Sequence, residues 1–270
     1  MNKQKIGMLT AVAAMILAGS AQEKSERSFT FASWNVGHYA MGETYMSTIP
    51  VAEAAAKSVK YREFLTEVNA DILGVCEYSE AFATTGVMPA KDAVFAAYPK
   101  AAIGPQHVCQ WNAQFLKRGE ILETRIYEYP QHCQGVYYIE TRVKICGEEV
   151  IFVQTHLDWF GNPGVRLSQM KALVDRFKDM PRVVIAGDFN QGIRYPDHSK
   201  PDVDNPIEYK IFSDAGFTLG NDGRYKTHPQ FKPYKSLDNI IVKGLKLRDF
   251  KMYPRWDLSD HALVSVVLEL

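Results

Sequence analysis

Two features that decide the fold meet in the stretch Val183-Val184-Ile185-Ala186-Gly187-Asp188-Phe189-Asn190. Its first half is a run of β-branched and small apolar residues, which is typical of a buried strand. Its second half places a carboxylate and an amide directly after that strand. Because a rigid strand fixes the side chain at its end, the stretch predicts a strand that delivers functional groups to one end of a sheet.

The same pattern, a strand-like run that ends in polar residues, recurs along the chain. The other strand-like runs are residues 29–34, 72–76, 136–143, 150–154, 240–242 and 263–270. The polar residues beside these runs are Asn35, Glu77, His156, Asp158, Asp238, Asp260 and His261. Each of them alone is compatible with an ordinary turn or an exposed strand end. Their recurrence at six strand ends favours one cluster of carboxylates, amides and imidazoles, which suits a hard cation and phosphate chemistry.

Helical patterns separate some of the strands. Residues 164–179 carry apolar side chains at helical spacing, and residues 61–69 carry Phe64, Leu65 and Val68 on one face. Strands outnumber helices, which predicts an α/β layered architecture with packed sheets and helices outside. The chain shows no repeat and no Pro-, Gly- or Ser-rich linker, so one domain over residues 28–270 is expected.

Composition excludes several classes of protein. The 270 residues are 46% hydrophobic and 23% charged, which argues against a disordered chain and against a miniprotein held by disulfides. The 31 basic residues balance 31 acidic ones, so a strongly basic protein that coats nucleic acid is excluded as the default. A local basic groove remains compatible with these numbers.

The first 21 residues have the pattern of a secretory signal peptide. Lys3 and Lys5 precede an uncharged apolar run at residues 6–19, and small residues follow at 19–21. The run is shorter than the roughly 20 residues that span a bilayer, so cleavage near Ala21 and export are expected. We therefore expect a periplasmic, cell-surface or secreted protein with no transmembrane segment.

The four cysteines match no zinc-binding spacing. Cys76 lies in an apolar run and is expected to be a buried thiol. Export would make disulfides possible. If any pair of cysteines forms one, Cys109 and Cys133 are favoured, because both lie in polar, histidine-containing surroundings.

In chain order these motifs resemble the endonuclease/exonuclease/phosphatase superfamily, whose members include deoxyribonucleases, abasic endonucleases, inositol polyphosphate phosphatases and neutral sphingomyelinases. The segments that carry the resemblance are Trp34-Asn35-Val36, residues 71–77, Thr155-His156-Leu157-Asp158, Gly187-Asp188-Phe189-Asn190, Leu237-Asp238-Asn239-Ile240 and Ser259-Asp260-His261. Asn112, Arg166 and Gln169 match the superfamily more weakly. The resemblance implies a four-layer sandwich, in which two packed, mostly antiparallel β-sheets are flanked by helices.

The resemblance also implies roles for the strand-end residues. Glu77 is the expected principal ligand of Mg²⁺, or of Mn²⁺, with Asn35 and Asp260 beside it. His261 is the expected general base, and Asp238 is expected to hold its far nitrogen. The remaining roles concern the substrate: Asp188 and Asn190 would orient the nucleophile and the phosphate, and His156 would donate to a phosphate or leaving oxygen.

The substrate stays open at this stage. The first hypothesis is an exported, monomeric, metal-dependent phosphodiesterase or phosphatase that acts on a small or lipid-linked ester. The second is an exported nuclease acting on DNA or RNA, for which Arg194, Lys200, Lys226, Lys232 and Lys235 would form a basic wall. The third is a catalytically silent binding protein on the same scaffold. Trp159 and Phe160 are interpreted as a rim that contacts substrate or membrane, with ordinary packing as the alternative.

Overall fold

The computed structural model describes residues 27–37, 51–80, 90–106, 111–129, 136–158, 163–190, 206–229 and 235–270. The strands in these ranges are β1 Ser28–Asn35, β2 Ile72–Cys76, β3 Lys100–Ile103, β4 Ala113–Leu116, β5 Glu120–Glu128, β6 Tyr137–Ile145, β7 Glu148–His156, β8 Val183–Asp188, β9 Thr218–Leu219, β10 Asp238–Lys243, β11 Lys246–Tyr253 and β12 Leu263–Glu269. The helices are α1 Val51–Val68, α2 Ala90–Ala93, α3 Pro163–Phe177 and α4 Pro206–Asp214.

The strands form two six-stranded sheets with the orders β11-β12-β1-β2-β4-β3 and β5-β6-β7-β8-β10-β9. Each sheet contains one parallel pair, β1 with β2 and β7 with β8, and its other neighbours are antiparallel. The expectation of two mostly antiparallel sheets is therefore confirmed. The two parallel pairs matter for the site, because the carboxyl ends of parallel strands lie at the same edge of a sheet.

Three apolar clusters define four layers. The central cluster lies between the sheets, where the ring of Phe152 on β7 packs 5.8 Å from Phe29 and 5.5 Å from Phe31 on β1, measured between ring centroids. A second cluster packs α1 against the first sheet through residues such as Phe64. A third packs α3 and α4 against the second sheet through residues such as Phe212. The helix–sheet–sheet–helix sandwich implied by the resemblance is thus the observed architecture.

A polar bridge ties the two sheets together close to the strand ends. Gln154 on β7 donates from Nε2 to Ser33 Oγ on β1 at 3.3 Å and to Cys76 Sγ on β2 at 3.1 Å. The thiol of Cys76 in turn donates to the carbonyl of Thr155 at 3.1 Å. Gly74 makes room for this contact, because a Cβ atom there would lie 1.8 Å from Gln154 Oε1. The bridge fixes how the two sheets are placed relative to each other.

The predicted strands and the helix predicted at residues 164–179 are found with small changes at their ends, and several elements lacked a sequence signal. The helix expected at residues 61–69 begins ten residues earlier, at Val51. Strands β3, β4, β5, β9 and β11 lie outside the strand-like runs, and helices α2 and α4 were not predicted. β5 lies at an edge of its sheet and is largely exposed, with charged residues between its apolar ones. Such a strand has no apolar run that a search for buried strands can find.

Two further findings concern the cysteines and the membrane. Cys76 is buried, as expected, and both Cys76 and Cys146 are free thiols. Cys109 and Cys133 lie outside the described residues, as does the predicted signal peptide at 1–21. Among the helices of the described ranges, none has the length and apolar character needed to cross a bilayer.

Candidate active site

The candidate active site lies where the carboxyl ends of the two parallel strand pairs meet. In the first sheet Asn35 pairs with Cys76, and Glu77 follows directly. In the second sheet His156 pairs with Asp188. The Asn35 amide donates from Nδ2 to Asp188 Oδ2 at 3.1 Å, so one hydrogen bond joins the two strand ends across the sandwich. The two sheets therefore contribute equally to the site.

Asn35 also holds Glu77. Its Nδ2 donates to Glu77 Oε1 at 3.0 Å, and its Oδ1 accepts the backbone N–H of Gly37 at 3.0 Å. Glu77 has a φ of 53°, a left-handed backbone conformation that is uncommon for residues other than glycine. Burial raises the pKa of Glu77 to about 7, with a contribution from the carboxylates of Asp260 and Asp188, although the hydrogen bond from Asn35 opposes the rise.

His261 and Asp238 form a buried dyad. The two atoms His261 Nδ1 and Asp238 Oδ2 are 2.9 Å apart, and His261 Nε2 lies 3.6 Å from Asp188 Oδ2. Burial alone would lower the pKa of His261, but the carboxylates of Asp238 and Asp188 outweigh it and raise the pKa to about 10. These carboxylates stabilise the protonated ring, which is the form that a general base reaches after it takes a proton.

The segment that carries His261 is anchored to β1. The indole of Trp34 donates to the carbonyl of His261 at 3.0 Å, and the backbone N–H of His261 donates to Ser259 Oγ at 3.1 Å. The hydroxyl of Ser259 donates to the carbonyl of Asn35 at 2.7 Å. The Ser-Asp-His motif is thus held by the same strand that places Asn35, which explains why these residues lie together although they are distant in sequence.

Asp188 lies at the centre of the cluster. Its Oδ1 accepts the backbone N–H of Asn190 at 2.8 Å, and Asp238 is its partner across β8 and β10. Burial would raise the pKa of Asp188, but the imidazoles of His261 and His156 and the hydrogen bonds to its carboxylate keep the pKa below its usual value. Asn190 has a φ of 46° and donates from Nδ2 to the carbonyl of Leu157 at 2.9 Å, so its amide fixes the loop after β7.

His156 faces the same carboxylates from β7. Its Nε2 lies 3.5 Å from Asp188 Oδ2 and 3.9 Å from Glu77 Oε1. Burial lowers the pKa of His156, against the opposing effect of Asp188. The neutral imidazole is therefore the favoured form, and a neutral ring carries one N–H that it can donate.

Glu77, Asp188 and Asp260, together with the amide oxygen of Asn35, supply oxygen ligands of the kind that Mg²⁺ and Mn²⁺ prefer. The pKa of Asp260 is held at about 2, because the imidazoles of His228 and His261 outweigh the effect of burial. Its charge raises the pKa of Glu77, so the two carboxylates repel each other. A bound divalent cation would relieve this repulsion, and the donor set fits such an ion.

Two neighbours of the site carried no clear sequence signal. His228 stacks on His261 with ring centroids 4.4 Å apart, and its Nε2 lies 3.6 Å from Asp260 Oδ2. Lys235 was predicted only as one member of a basic wall, yet it is buried and its charge interacts with Asp188. The two residues pair through their backbones in an isolated bridge. Thr227-His228-Pro229 lies in a connection rather than after an apolar run, which is why the search of strand ends missed it.

The residues that match the superfamily more weakly, Arg166, Gln169 and Asn112, stabilise the structure around the site. The backbone N–H of Asp158 donates to Gln169 Oε1 at 3.0 Å, and Arg166 donates to the carbonyl of Asp158 at 3.3 Å. Both partners lie on α3, so the Arg-x-x-Gln motif holds the loop after β7. Asn112 is buried and donates from Nδ2 to the carbonyl of Tyr137 at 3.2 Å, which joins the two sheets.

Every predicted catalytic and metal-binding residue lies in this cluster or in hydrogen-bond contact with it. Other expected contributors lie outside the described residues: Trp159 and Phe160 of the predicted rim, and Arg194, Lys200 and Lys232 of the predicted basic wall. Lys226 is described and is partly buried. The roles of the individual site residues stay predictions.

Comparison with known proteins identifies the fold. No protein-family model and no curated protein sequence matches the chain. Among solved structures, an endonuclease/exonuclease/phosphatase from Beutenbergia cavernae matches with a TM-score of 0.69 at 14% identity, covering 90% of this chain and 72% of that one. An endonuclease/exonuclease/phosphatase from Bacteroides vulgatus matches with a TM-score of 0.65 at 15% identity, covering 90% and 99%.

A third similar structure is D. rerio TDP2 complexed with a single-strand DNA product. It matches with a TM-score of 0.68 at 16% identity and covers 90% of this chain and 99% of that one. Identities this low establish a shared fold and leave activity open. The chain has the fold of the endonuclease/exonuclease/phosphatase superfamily, as the sequence motifs implied.

Proposed function

We propose that this chain, folded as an endonuclease/exonuclease/phosphatase sandwich, is a metal-dependent hydrolase of phosphate esters and acts as a phosphodiesterase. One observation carries the proposal. His261 Nδ1 is held 2.9 Å from Asp238, and Nε2 of the same ring lies 3.6 Å from Asp188 at the centre of the cluster. An imidazole that is oriented by one carboxylate and open at its other nitrogen is the arrangement that activates a water molecule.

In the proposed step, a divalent cation bound beside Asp260 would offset the carboxylates and favour the neutral ring of His261. Nε2 of that neutral ring takes a proton from water as the water oxygen forms a bond to phosphorus. The bond from phosphorus to the leaving oxygen breaks, and that oxygen takes a proton from His156 or from solvent. Asp238 keeps the ring in the correct tautomer and stabilises the imidazolium. Asp188 accepts from Asn35 and lies 3.6 Å from His261 Nε2, so it is placed to orient the attacking water.

Glu77, Asn35 and Asp260 would hold the metal ion. Bound Mg²⁺ or Mn²⁺ supplies positive charge that stabilises the phosphoryl oxygens. The protein contributes the fixed geometry: Asn35 orients Glu77 through a 3.0 Å hydrogen bond, and the anchored segment around Ser259 fixes Asp260. Asn35 is buried, and Glu77 and Asp260 are partly buried, which limits contact with bulk water and strengthens their interactions.

The nature of the ester separates two candidate substrates. A small or lipid-linked ester fits a chain with equal numbers of basic and acidic residues, because binding to a nucleic-acid backbone needs several Lys or Arg contacts. A nucleic acid is the second candidate. It is favoured by the similar fold of TDP2 with its single-strand DNA product and by the buried charge of Lys235 beside Asp188.

The test is a panel of substrates with and without EDTA. The purified protein is incubated with bis-p-nitrophenyl phosphate, plasmid DNA, RNA, sphingomyelin and inositol phosphates. Hydrolysis of at least one ester that needs Mg²⁺ and stops with EDTA is expected. Plasmid nicking without lipid hydrolysis would select the nuclease.

The control for contaminating enzymes is His261→Ala, purified in the same way. An activity that persists in this variant does not come from the proposed site. Absence of activity on every ester, with the fold intact and Mg²⁺ present, would favour a silent binding protein instead.

We further propose that the protein is exported and acts as a monomer outside the cytoplasm. The support for export is the predicted signal peptide, with Lys3 and Lys5 before an apolar run at residues 6–19.

A further inference from the structure

A second set of possible metal ligands lies on the His261 side of the site. It consists of His228, Asp260 and His261, and one ligand atom from each lies within 4.8 Å of the others. We call these three residues the imidazole cluster. It shares Asp260 with the expected Mg²⁺ ligands Glu77, Asn35 and Asp260, which we call the oxygen-rich set. The other two donors of the imidazole cluster are nitrogen atoms.

The donor types of the imidazole cluster favour a different ion from the oxygen-rich set. Mg²⁺ is held by carboxylates, carbonyl oxygens and water, whereas Zn²⁺ binds imidazole nitrogen at about 2.0–2.1 Å and carboxylate oxygen at about 2.0–2.2 Å. Catalytic-type zinc sites use three protein ligands and leave the fourth position to water. Two imidazoles and one carboxylate meet this requirement.

The ring of His261 is already oriented as a zinc ligand would be. A histidine that binds zinc usually donates its other ring N–H to a carboxylate or carbonyl, which fixes the ring and makes it more basic. Nδ1 of His261 has such a partner in Asp238 at 2.9 Å. Nε2 is therefore the nitrogen that this ring presents to the cluster.

His228 is held in place by its backbone and by its ring. Its N–H donates to the carbonyl of Lys235 at 3.1 Å, and its carbonyl accepts the N–H of Lys235 at 2.9 Å. The ring stacks on His261, and Nε2 lies 3.6 Å from Asp260 Oδ2. Nδ1 is buried and has no hydrogen-bond partner among the described residues. The polar side-chain contact described for the His228 ring is the one with Asp260, which is itself a member of the imidazole cluster.

We propose that the imidazole cluster binds Zn²⁺ and that this binding inhibits the enzyme. The inhibitory part rests on the proposed function. Because Asp238 occupies Nδ1 of His261, the same Nε2 atom has to serve either the zinc ion or the proton of the attacking water. Zinc also takes Asp260 from the ligands expected to hold Mg²⁺. Zn²⁺ and Mg²⁺ therefore cannot occupy the site at the same time.

The first experiment measures binding without substrate. The full protein is titrated with Zn²⁺ against a chromophoric zinc indicator, with Mg²⁺ in large excess. The variants are His228→Phe, which keeps an aromatic ring against His261 but removes the nitrogen ligands, and His228→Gln. The control is Glu77→Gln, which changes the oxygen-rich set and leaves the imidazole cluster intact. Circular dichroism confirms that each variant is folded.

We expect the wild-type protein and Glu77→Gln to bind one equivalent of Zn²⁺ with similar affinity. His228→Phe and His228→Gln should bind at least about 10-fold more weakly, since even the loss of an outer partner costs 10–100-fold in metal affinity. Co²⁺ bound to the wild-type protein should show the visible absorption of a low-coordinate nitrogen-ligated ion, and His228→Phe should lose it. Absence of Zn²⁺ binding, or equal affinity in a folded His228→Phe protein, overturns the site.

The second experiment measures inhibition. Each protein's rate with Zn²⁺ is divided by its own rate without Zn²⁺, at constant Mg²⁺. One equivalent of Zn²⁺ should stop the wild-type protein, and His228→Phe should need at least about 10-fold more, in line with its weaker binding. Full activity of the zinc-bound wild-type protein would overturn the inhibition. Failure of the proposed hydrolase function is distinguishable, because the binding titration needs no substrate.

Discussion

The two nitrogens of His261 face different partners, and this difference defines what each neighbour does. Nδ1 lies 2.9 Å from Asp238, whereas Nε2 faces Asp188 at 3.6 Å. Asp260 is adjacent to His261 in sequence but makes its closest imidazole contact with His228. The sequence motif Ser-Asp-His therefore carries the proposed base, while the carboxylate in contact with its Nδ1 comes from β10.

The dyad gives a prediction about two substitutions. His261→Ala should lower kcat by about 10²–10⁴-fold, the usual contribution of a general base. Asp238→Asn should cost less, because the imidazole remains and loses only its orienting charge. The double mutant should be little worse than His261→Ala alone, since residues that act as one unit are strongly non-additive. Single-turnover rates of all three variants check this. A double mutant that loses the product of the two single losses would contradict the dyad.

Glu77 gives a prediction about metal dependence. Glu77→Gln keeps the shape of the side chain and removes the charge, so it should abolish Mg²⁺-dependent hydrolysis while the fold stays intact. The hydrogen bond from Asn35 Nδ2 at 3.0 Å can still form to the amide oxygen. Rates over a range of Mg²⁺ concentrations measure the effect, and the exposed Glu120→Gln is the matched control. Normal activity in a well-folded Glu77→Gln protein would remove Glu77 from the site.

The strand-end residues could be predicted because each lies directly beside an apolar run of the sequence. Asn35, Glu77 and Asp188 are examples, and all three are joined through the Asn35 amide. The place of His228 could not be predicted in the same way, because its backbone pairs with Lys235 across a connection. What brings it onto His261 is a tertiary contact that has no local periodicity.

At the scale of elements, two glycines set how closely β7 approaches its neighbours. A Cβ atom at Gly187 would lie 1.7 Å from the backbone carbonyl oxygen of Thr155, and Gly187 has a φ of 142°. A Cβ atom at Gly74 would instead meet the side-chain oxygen of Gln154 at 1.8 Å. The first clash is with rigid backbone within a sheet, and the second is with a side chain across the sandwich.

These contacts predict a ranked loss of stability. Gly187→Ala should lower the free energy of unfolding by about 3–5 kcal/mol, because overpacking and an unfavourable φ add to each other. Gly74→Ala should cost about 1–3 kcal/mol, because the Gln154 amide moves and breaks its bridge between the sheets. Urea unfolding of both variants measures the order. A larger loss of unfolding free energy for Gly74→Ala than for Gly187→Ala would show that the backbone around Gly187 can shift more easily than the geometry indicates.

Most of the buried strands were predictable from their apolar runs, whereas the charged edge strands were not. β8 and β2 are buried along their whole length, and their apolar runs matched the observed strands. β5 and β11 lie at sheet edges, and exposed charged residues occur between the apolar residues along each strand. Charged edge strands protect a sheet against pairing with other chains, so the feature that hides them in the sequence has a physical use.

At the scale of the whole molecule, the proposed export gives a further prediction. The protein isolated from its native host should begin near Gln22, because small residues at 19–21 fit the cleavage site of a signal peptidase. N-terminal sequencing of the extracytoplasmic fraction is the measurement. Soluble cytoplasmic protein that retains Met1 would contradict export.

The position of β12 between β11 and β1 has a consequence for folding kinetics. β12 follows every other described strand in chain order, yet its partner Ser28–Asn35 precedes them all. Contacts of such long sequence separation form slowly, because a large loop has to close first. His261 and Asp260 precede β12 directly, so they reach Asn35 only when this pairing is made. A growing chain thus cannot assemble the candidate site until the first and the last of its described strands have paired.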